Sequence, residues 1–187
     1  MTALPTTCGA AVPRHTGPLR LLALDTSTHL MSVAVQVDPP PPTQPADQDP
    51  PAPPPQQWQH TAEGGAQAST GLIPAVLSLL AQAQTPLATL DALVWGHGPG
   101  AFTGLRTAAA VVQGLAHGSR PPRHPQGLPV LGIDTLLAVA EEARHQHGLQ
   151  QLVAVLDARM DEVYTAPFTF DGSRWSTPDD FGLLHPQ

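Results

Sequence analysis

The sequence predicts an α/β protein made of two related lobes, the second of which stops early. Three observations predict it. Apolar runs of strand length, Leu19–Leu24, Ala92–Trp95 and Leu152–Leu156, alternate with longer stretches of helical period. Gly96–Arg106, reading Gly-His-Gly-Pro-Gly-Ala-Phe-Thr-Gly-Leu-Arg, lies between an apolar run and the small-residue run Thr107–Ala116, as a strand, a tight glycine turn and a helix would. A strand, an Asp-led turn and a hairpin partner occur twice, starting at Leu19 and at Leu152.

Length and composition bound the function. The chain has 187 residues, of which 41% are hydrophobic, enough for one domain or two small lobes. Its 23 prolines fall largely in tails and linkers. Lysine is absent, and 8 arginines stand against 15 acids for a net charge of −7. Such a chain is a poor solitary nucleic-acid binder, because phosphate backbones are held by clustered cations. The only cluster, His117, Arg120, Arg123 and His124, sits in a Pro-rich connector. Cys8 is the one cysteine, which excludes an intramolecular disulfide and a cysteine-based metal site. The first 18 residues lack the pattern of a signal peptide, and no apolar run has the length of a membrane span. A soluble, reduced, cytoplasmic protein is expected.

In chain order, Met1–Pro18 is rich in Thr, Pro and Ala and is expected to be disordered. Leu19–Leu24 reads as a buried strand ending in Asp25-Thr26-Ser27-Thr28, and Met31–Val37 as its hairpin partner. Asp38–Gln57 holds ten prolines and reads as a low-complexity surface loop before a third strand at Trp58–Ala62. After Gly64-Gly65, Ser69 or Thr70 can cap a helix running to about Gln84, with Pro74 in or just past its first turn. Leu72, Ile73, Val76, Leu77, Leu80 and Ala83 form its apolar stripe, and no charge occurs between Gly65 and Leu90. So bare a helix is expected to be covered on more than one side, by the second lobe or by another protein.

The glycine turn follows. Gly96, Gly98 and Gly100 permit close backbone approach, Pro99 fixes one φ, and Thr103 is a candidate N-cap. Its backbone N–H groups could converge on an anion. It is no Walker A loop, since no Gly-Lys-Ser/Thr follows, and Gly104 falls one place late for a dinucleotide fingerprint. The plain alternative is a βα turn that only reverses the chain. The next helix carries Gly104, Ala108, Ala109, Ala110 and Gly114, small residues that let another helix approach closely. Past the Ser119–Gly127 connector come a strand at Leu128–Ile133, a helix from Thr135 to about Gln146 capped by Asp134, a strand at Leu152–Leu156, the turn Asp157–Asp161 and its partner Glu162–Phe170. No strong element is evident in Asp171–Gln187.

No catalytic constellation emerges. A Gly-x-Ser-x-Gly elbow is missing, Glu141 and Glu142 are adjacent and do not converge, and His145 and His147 point to different sides of a helix end. Asp25 and its hydroxyl neighbours read either as a ligand turn or as a hydrogen-bonded Asx or ST turn.

Three segments in order carry a resemblance: Leu22-Ala23-Leu24-Asp25-Thr26-Ser27-Thr28, Gly98-Pro99-Gly100-Ala101-Phe102-Thr103-Gly104-Leu105-Arg106, and Leu156-Asp157-Ala158-Arg159 followed by Glu162-Val163-Tyr164. Together they resemble the bacterial TsaB (YeaZ) family, the accessory, dimerisation subunit of the complex that makes threonylcarbamoyladenosine in tRNA. The resemblance implies an actin/Hsp70-like ATPase (ASKHA) fold of two RNase H-like lobes. Applied here it gives a tail at 1–18, a first lobe at 19–118 with a Pro-rich insertion at 38–57, and a partial second lobe at 119–187.

The resemblance further implies a partner, the catalytic paralogue TsaD, paired through a helical interface containing Leu72, Ile73, Val76, Leu80, Ala108 and Val112. A TsaE-type ATPase would join through it, tRNA would be met indirectly, and a homodimer would form when no partner is present. A nucleotide or anion turn would involve Asp25, Thr26, Ser27, Gly98, Gly100, Thr103 and Arg159. Ala158 and Arg159 replace the paralogue's Ser-Gly-Gly-His-Thr segment, which implies weakened nucleotide binding, with ATP held at most at the partner interface. Thr135 and Val139 stand where the paralogue has metal-binding histidines, which implies no metal. The alternatives are a weak ATPase or transferase using Asp25 and Gly96–Gly100, and a small-molecule peptidase, against which the missing nucleophile and ligands speak.

Overall fold

The computed structural model describes residues 17–41, 53–119, 124–177 and 181–185. The expected disordered tail and most of the Pro-rich insertion lie outside the described residues. The insertion is shorter than 38–57, because the strands on either side reach Asp38 and start again at Gln56.

Five strands make the first sheet: β1 (Leu19–Asp25), β2 (Leu30–Asp38), β3 (Gln56–Glu63), β4 (Ala92–Gly98) and β5 (Val130–Asp134), in the order β3-β2-β1-β4-β5. β1 to β3 form an antiparallel meander, with Leu22 opposite Val35 and Val33 opposite His60. β4 and β5 add on in parallel. Parallel neighbours need crossovers, and helices α1 (Ala68–Gln82) and α2 (Phe102–Gly118) lie in those connections. Because β5 pairs with β4, the first lobe extends to Asp134 and does not end at residue 118 as expected.

Alternation along β1 and β2 turns Leu22, Leu24, Val33 and Val35 to one face, where Leu72, Val76, Leu79 and Leu80 of α1 and Val112 of α2 meet them. This is the larger of two cores. The helix starts differ from expectation. α1 begins at Ala68 after Gln67 with no side-chain cap, so Ser69 and Thr70 lie inside its first turn. Pro74 falls one turn deeper than expected, where it has no N–H to give the Thr70 carbonyl.

The second lobe joins helix α3 (Thr135–His147) to a sheet of β6 (Gln151–Arg159), β7 (Glu162–Phe170), β8 (Trp175–Ser176) and β9 (Gly182–Leu184). Asp134 caps α3 as expected, its carboxylate accepting the Leu137 N–H at 3.0 Å. Leu136, Ala140, Ala154, Ala166 and Phe168 form its core. The stretch after Asp171 is not featureless: β8 and β9 both pair with β7. At two and three residues they are too short for any hydrophobic period to show.

Candidate functional site: a closed glycine turn and an open helix face

The Asp25 turn is built first from its own side chain. Asp25 Oδ1 accepts the backbone N–H of Ser27 at 3.0 Å and its hydroxyl at 2.6 Å. The glycine turn is then laid on top. Thr26, buried, donates its hydroxyl to the Gly104 carbonyl at 2.7 Å, and Ala101 N–H donates to the Ser27 carbonyl at 2.6 Å. The glycines serve this approach. A Cβ at Gly100 would overlap the Ser27 backbone, one at Gly104 the Thr26 carbonyl, and one at Gly96 the Asp25 carboxylate. Only Gly98 among them needs a left-handed backbone, at φ +111°.

Of the seven residues assigned to an anion turn, Asp25, Thr26, Ser27, Gly98 and Gly100 come together. The hydroxyls of Thr26 and Ser27 are already donated within the protein. Thr103 corrects its assignment: Ala101 precedes the helix and no side chain caps it. Thr103 is exposed inside the first turn, and its carbonyl accepts the Thr107 hydroxyl at 2.9 Å. Arg159 lies across a cleft of about 630 Å³, with Ser27, Gly100 and Phe102 also lining it. Its backbone N–H is taken by Asp157 at 2.8 Å, and its guanidinium lies 3.8 Å from the same carboxylate.

Sequence reasoning missed the hydroxyl of Thr135 as a feature of this region. It is buried beside Gly96 and has no hydrogen-bond partner among the described residues. The signals were its place directly after a helix-capping Asp and its standing where the paralogue has a metal-binding histidine. No group of three or more His, Cys, Asp or Glu suited to a metal occurs among the described residues.

The expected partner residues need correction. Leu72, Val76, Leu80, Ala108 and Val112 are buried within this chain. Burial against its own sheet uses the stripe that was assigned to another protein. Only Ile73 of the six is open, at 47% exposure, joined by Leu77 at 56% and Phe102 at 68%. Ser69, Ile73, Leu77 and Ala81 recur every four residues along the outer side of α1. Phe102, Arg106, Ala110 and Gly114 do the same along α2. Between the two rows lies a groove of about 420 Å³ that includes Ser69, Phe102, Arg106 and Ala110.

This geometry can be set beside known proteins. The family described as "TsaD: tRNA N6-adenosine threonylcarbamoyltransferase" matches residues 57–179. The tRNA threonylcarbamoyladenosine biosynthesis protein TsaB of Escherichia coli is 31% identical over 170 residues, 90% of this chain and 64% of the relative. TsaB of Haemophilus influenzae is 37% identical over 146 residues, 78% of this chain and 52% of the relative. The solved structure of YeaZ from Pseudomonas aeruginosa superposes with a TM-score of 0.70 at 32% identity, covering 90% of this chain and 68% of that one. The chain belongs to the TsaB (YeaZ) family. It spans just over half to just under two thirds of the length of these two TsaB relatives. The TsaB glycine motif is thus the lid of the Asp25 turn in this fold, and the lobes on either side are those of the ASKHA architecture.

Proposed function

We propose that this chain is a non-catalytic accessory subunit in the formation of threonylcarbamoyladenosine in tRNA. It pairs through the outer face of α1 and α2 with a TsaD-type catalytic paralogue. A TsaE-type ATPase joins through that paralogue, and tRNA is met indirectly. Without its partner the chain pairs with itself through the same face. ATP, where it is used, is held at the contact with the partner, and the protein works in the cytoplasm. The observation that carries this reading is the exposed apolar row Ile73, Leu77 and Phe102 on two neighbouring helices. Its burial against a second helix pair supplies the driving force. The closed state of the Asp25 turn supports a role without chemistry of its own, since the Ser27 hydroxyl is donated to Asp25 and the Thr26 hydroxyl to the Gly104 carbonyl.

Co-elution of the recombinant chain with the TsaD-type protein of the same organism tests the pairing. Ile73→Asp and Leu77→Asp are expected to abolish it while leaving the circular dichroism spectrum unchanged. Co-elution that survives both substitutions would overturn this assignment.

A further inference from the structure

The helix face described above is apolar, yet it carries one fixed charge. α1 has no charged residue, and α2 has Arg106, with His117 in its last turn. Arg106 is exposed, and its guanidinium carbon lies 4.0 Å from the centroid of the Phe102 ring. A contact of this kind holds the guanidinium over the ring while its N–H groups remain able to donate. Among the described residues no carboxylate pairs with it.

The sequence around it is equally one-sided. Between Glu63 and Asp134 the chain contains a single acid, Asp91. Asp91 is buried and accepts the Arg20 backbone N–H at 2.8 Å. A second copy docking by the same face therefore brings no carboxylate on its own α1 or α2. In such a twofold contact Arg106 meets apolar surface or its own counterpart, and a charge covered without a partner is costly.

We propose that Arg106 is the specificity determinant of this face: it selects a partner helix surface that is apolar but presents a carboxylate, and it disfavours a second copy of this chain. The inference rests on the pairing proposed above and adds what distinguishes the right partner from the wrong one. The apolar row attracts any similar helix pair. The guanidinium weakens pairing with those lacking an acid, which leaves self-pairing for when the partner is absent and is discrimination by an unpaired charge rather than by added attraction.

Affinity for the TsaD-type protein, measured by titration calorimetry, and self-association, measured by sedimentation velocity, test it together. In Arg106→Leu, hetero-pairing weakens by about tenfold or more while self-association tightens by a similar factor. Loss of fold would weaken both, so opposite signs carry the result. Arg106→Lys keeps part of the hetero-affinity, and the salt dependence expected of the wild type disappears in Arg106→Leu. The inference falls if Ile73→Asp abolishes hetero-pairing while Arg106→Leu stays within about twofold of the wild type in both measurements. If Ile73→Asp changes nothing, the pairing itself is wrong and this inference falls with it.

Discussion

The two Asp turns of this protein start from the same local bond and end in different states. In one, Asp25 accepts the Ser27 N–H at 3.0 Å; in the other, Asp157 accepts the Arg159 N–H at 2.8 Å. Asp25 ends β1 and Asp157 lies two residues before the end of β6, and each of these strands begins a hairpin. The first turn is buried under Gly100 and Gly104. The second stands open, with Arg159, Met160 and Asp161 all left-handed at φ 69°, 55° and 60° and Met160 89% exposed. The side-chain bond to the residue two places on is therefore a property of Asp. Whether the turn becomes part of a core depends on a glycine-lined backbone arriving from elsewhere in the chain.

The contrast can be broken most strongly at its lid. Gly104→Ala puts a Cβ into the Thr26 carbonyl, a backbone atom that cannot swing aside. We expect a loss of about 2–3 kcal/mol in urea unfolding. Thr26→Val removes the hydroxyl that the Gly104 carbonyl accepts. Its expected cost is smaller, about 1 kcal/mol, because one buried hydrogen bond is lost while the Gly104 carbonyl keeps its place in the α2 ladder. A loss at either position no greater than that of an exposed α1 substitution such as Gln82→Ala would contradict the lid.

The open turn should respond with the opposite sign. Met160→Gly relieves a left-handed backbone at an exposed tip and is expected to stabilise by about 0.5 kcal/mol, part of the relief being offset by the freer unfolded chain. Thermal unfolding measures it, and a lower midpoint would mean that Met160 makes a contact worth more than its strain.

The smallest effect concerns how the second lobe is held. Glu141 is drawn down from 4.5 to about 2, first by its hydrogen bonds to Arg144 and then by the Trp175 indole N–H. A lowered carboxylate stabilises the folded state at pH above its ordinary range, and that contribution fades as pH falls from there through about 2. The groups are exposed, so solvent screens most of the gain. Trp175→Phe is expected to raise the Glu141 value partway, since Arg144 remains, and to weaken slightly the acid end of the stability profile. Carboxyl NMR titration reads it, and an unmoved Glu141 would remove Trp175 from the clamp.

Much of the architecture was legible before the fold. The strand runs, the Asp134 cap and the β6–β7 hairpin depend on neighbours a few residues apart, and they stand where the pattern put them. Helix entry was less legible. Thr103 and Ser69 were plausible caps by type, but the chain enters α2 through the Ala101 bond to Ser27, a constraint that comes from β1 and not from helix propensity. The interface failed for a related reason. Leu72 and Ile73 are adjacent and equally apolar, and periodicity names a stripe without saying what covers it.

By itself, then, the sequence determined the alternation of strands and helices, the two Asp turns and the absence of charge from α1, all of which follow from short-range bonding and composition. Tertiary structure alone decided that β5 closes the first sheet, that Leu72, Val76 and Leu80 face inward while Ile73 and Leu77 face out, and that Gly104 exists to receive Thr26. Those outcomes turn on contacts such as Thr26 to Gly104, 78 residues apart, where packing rather than local preference selects one face over its neighbour.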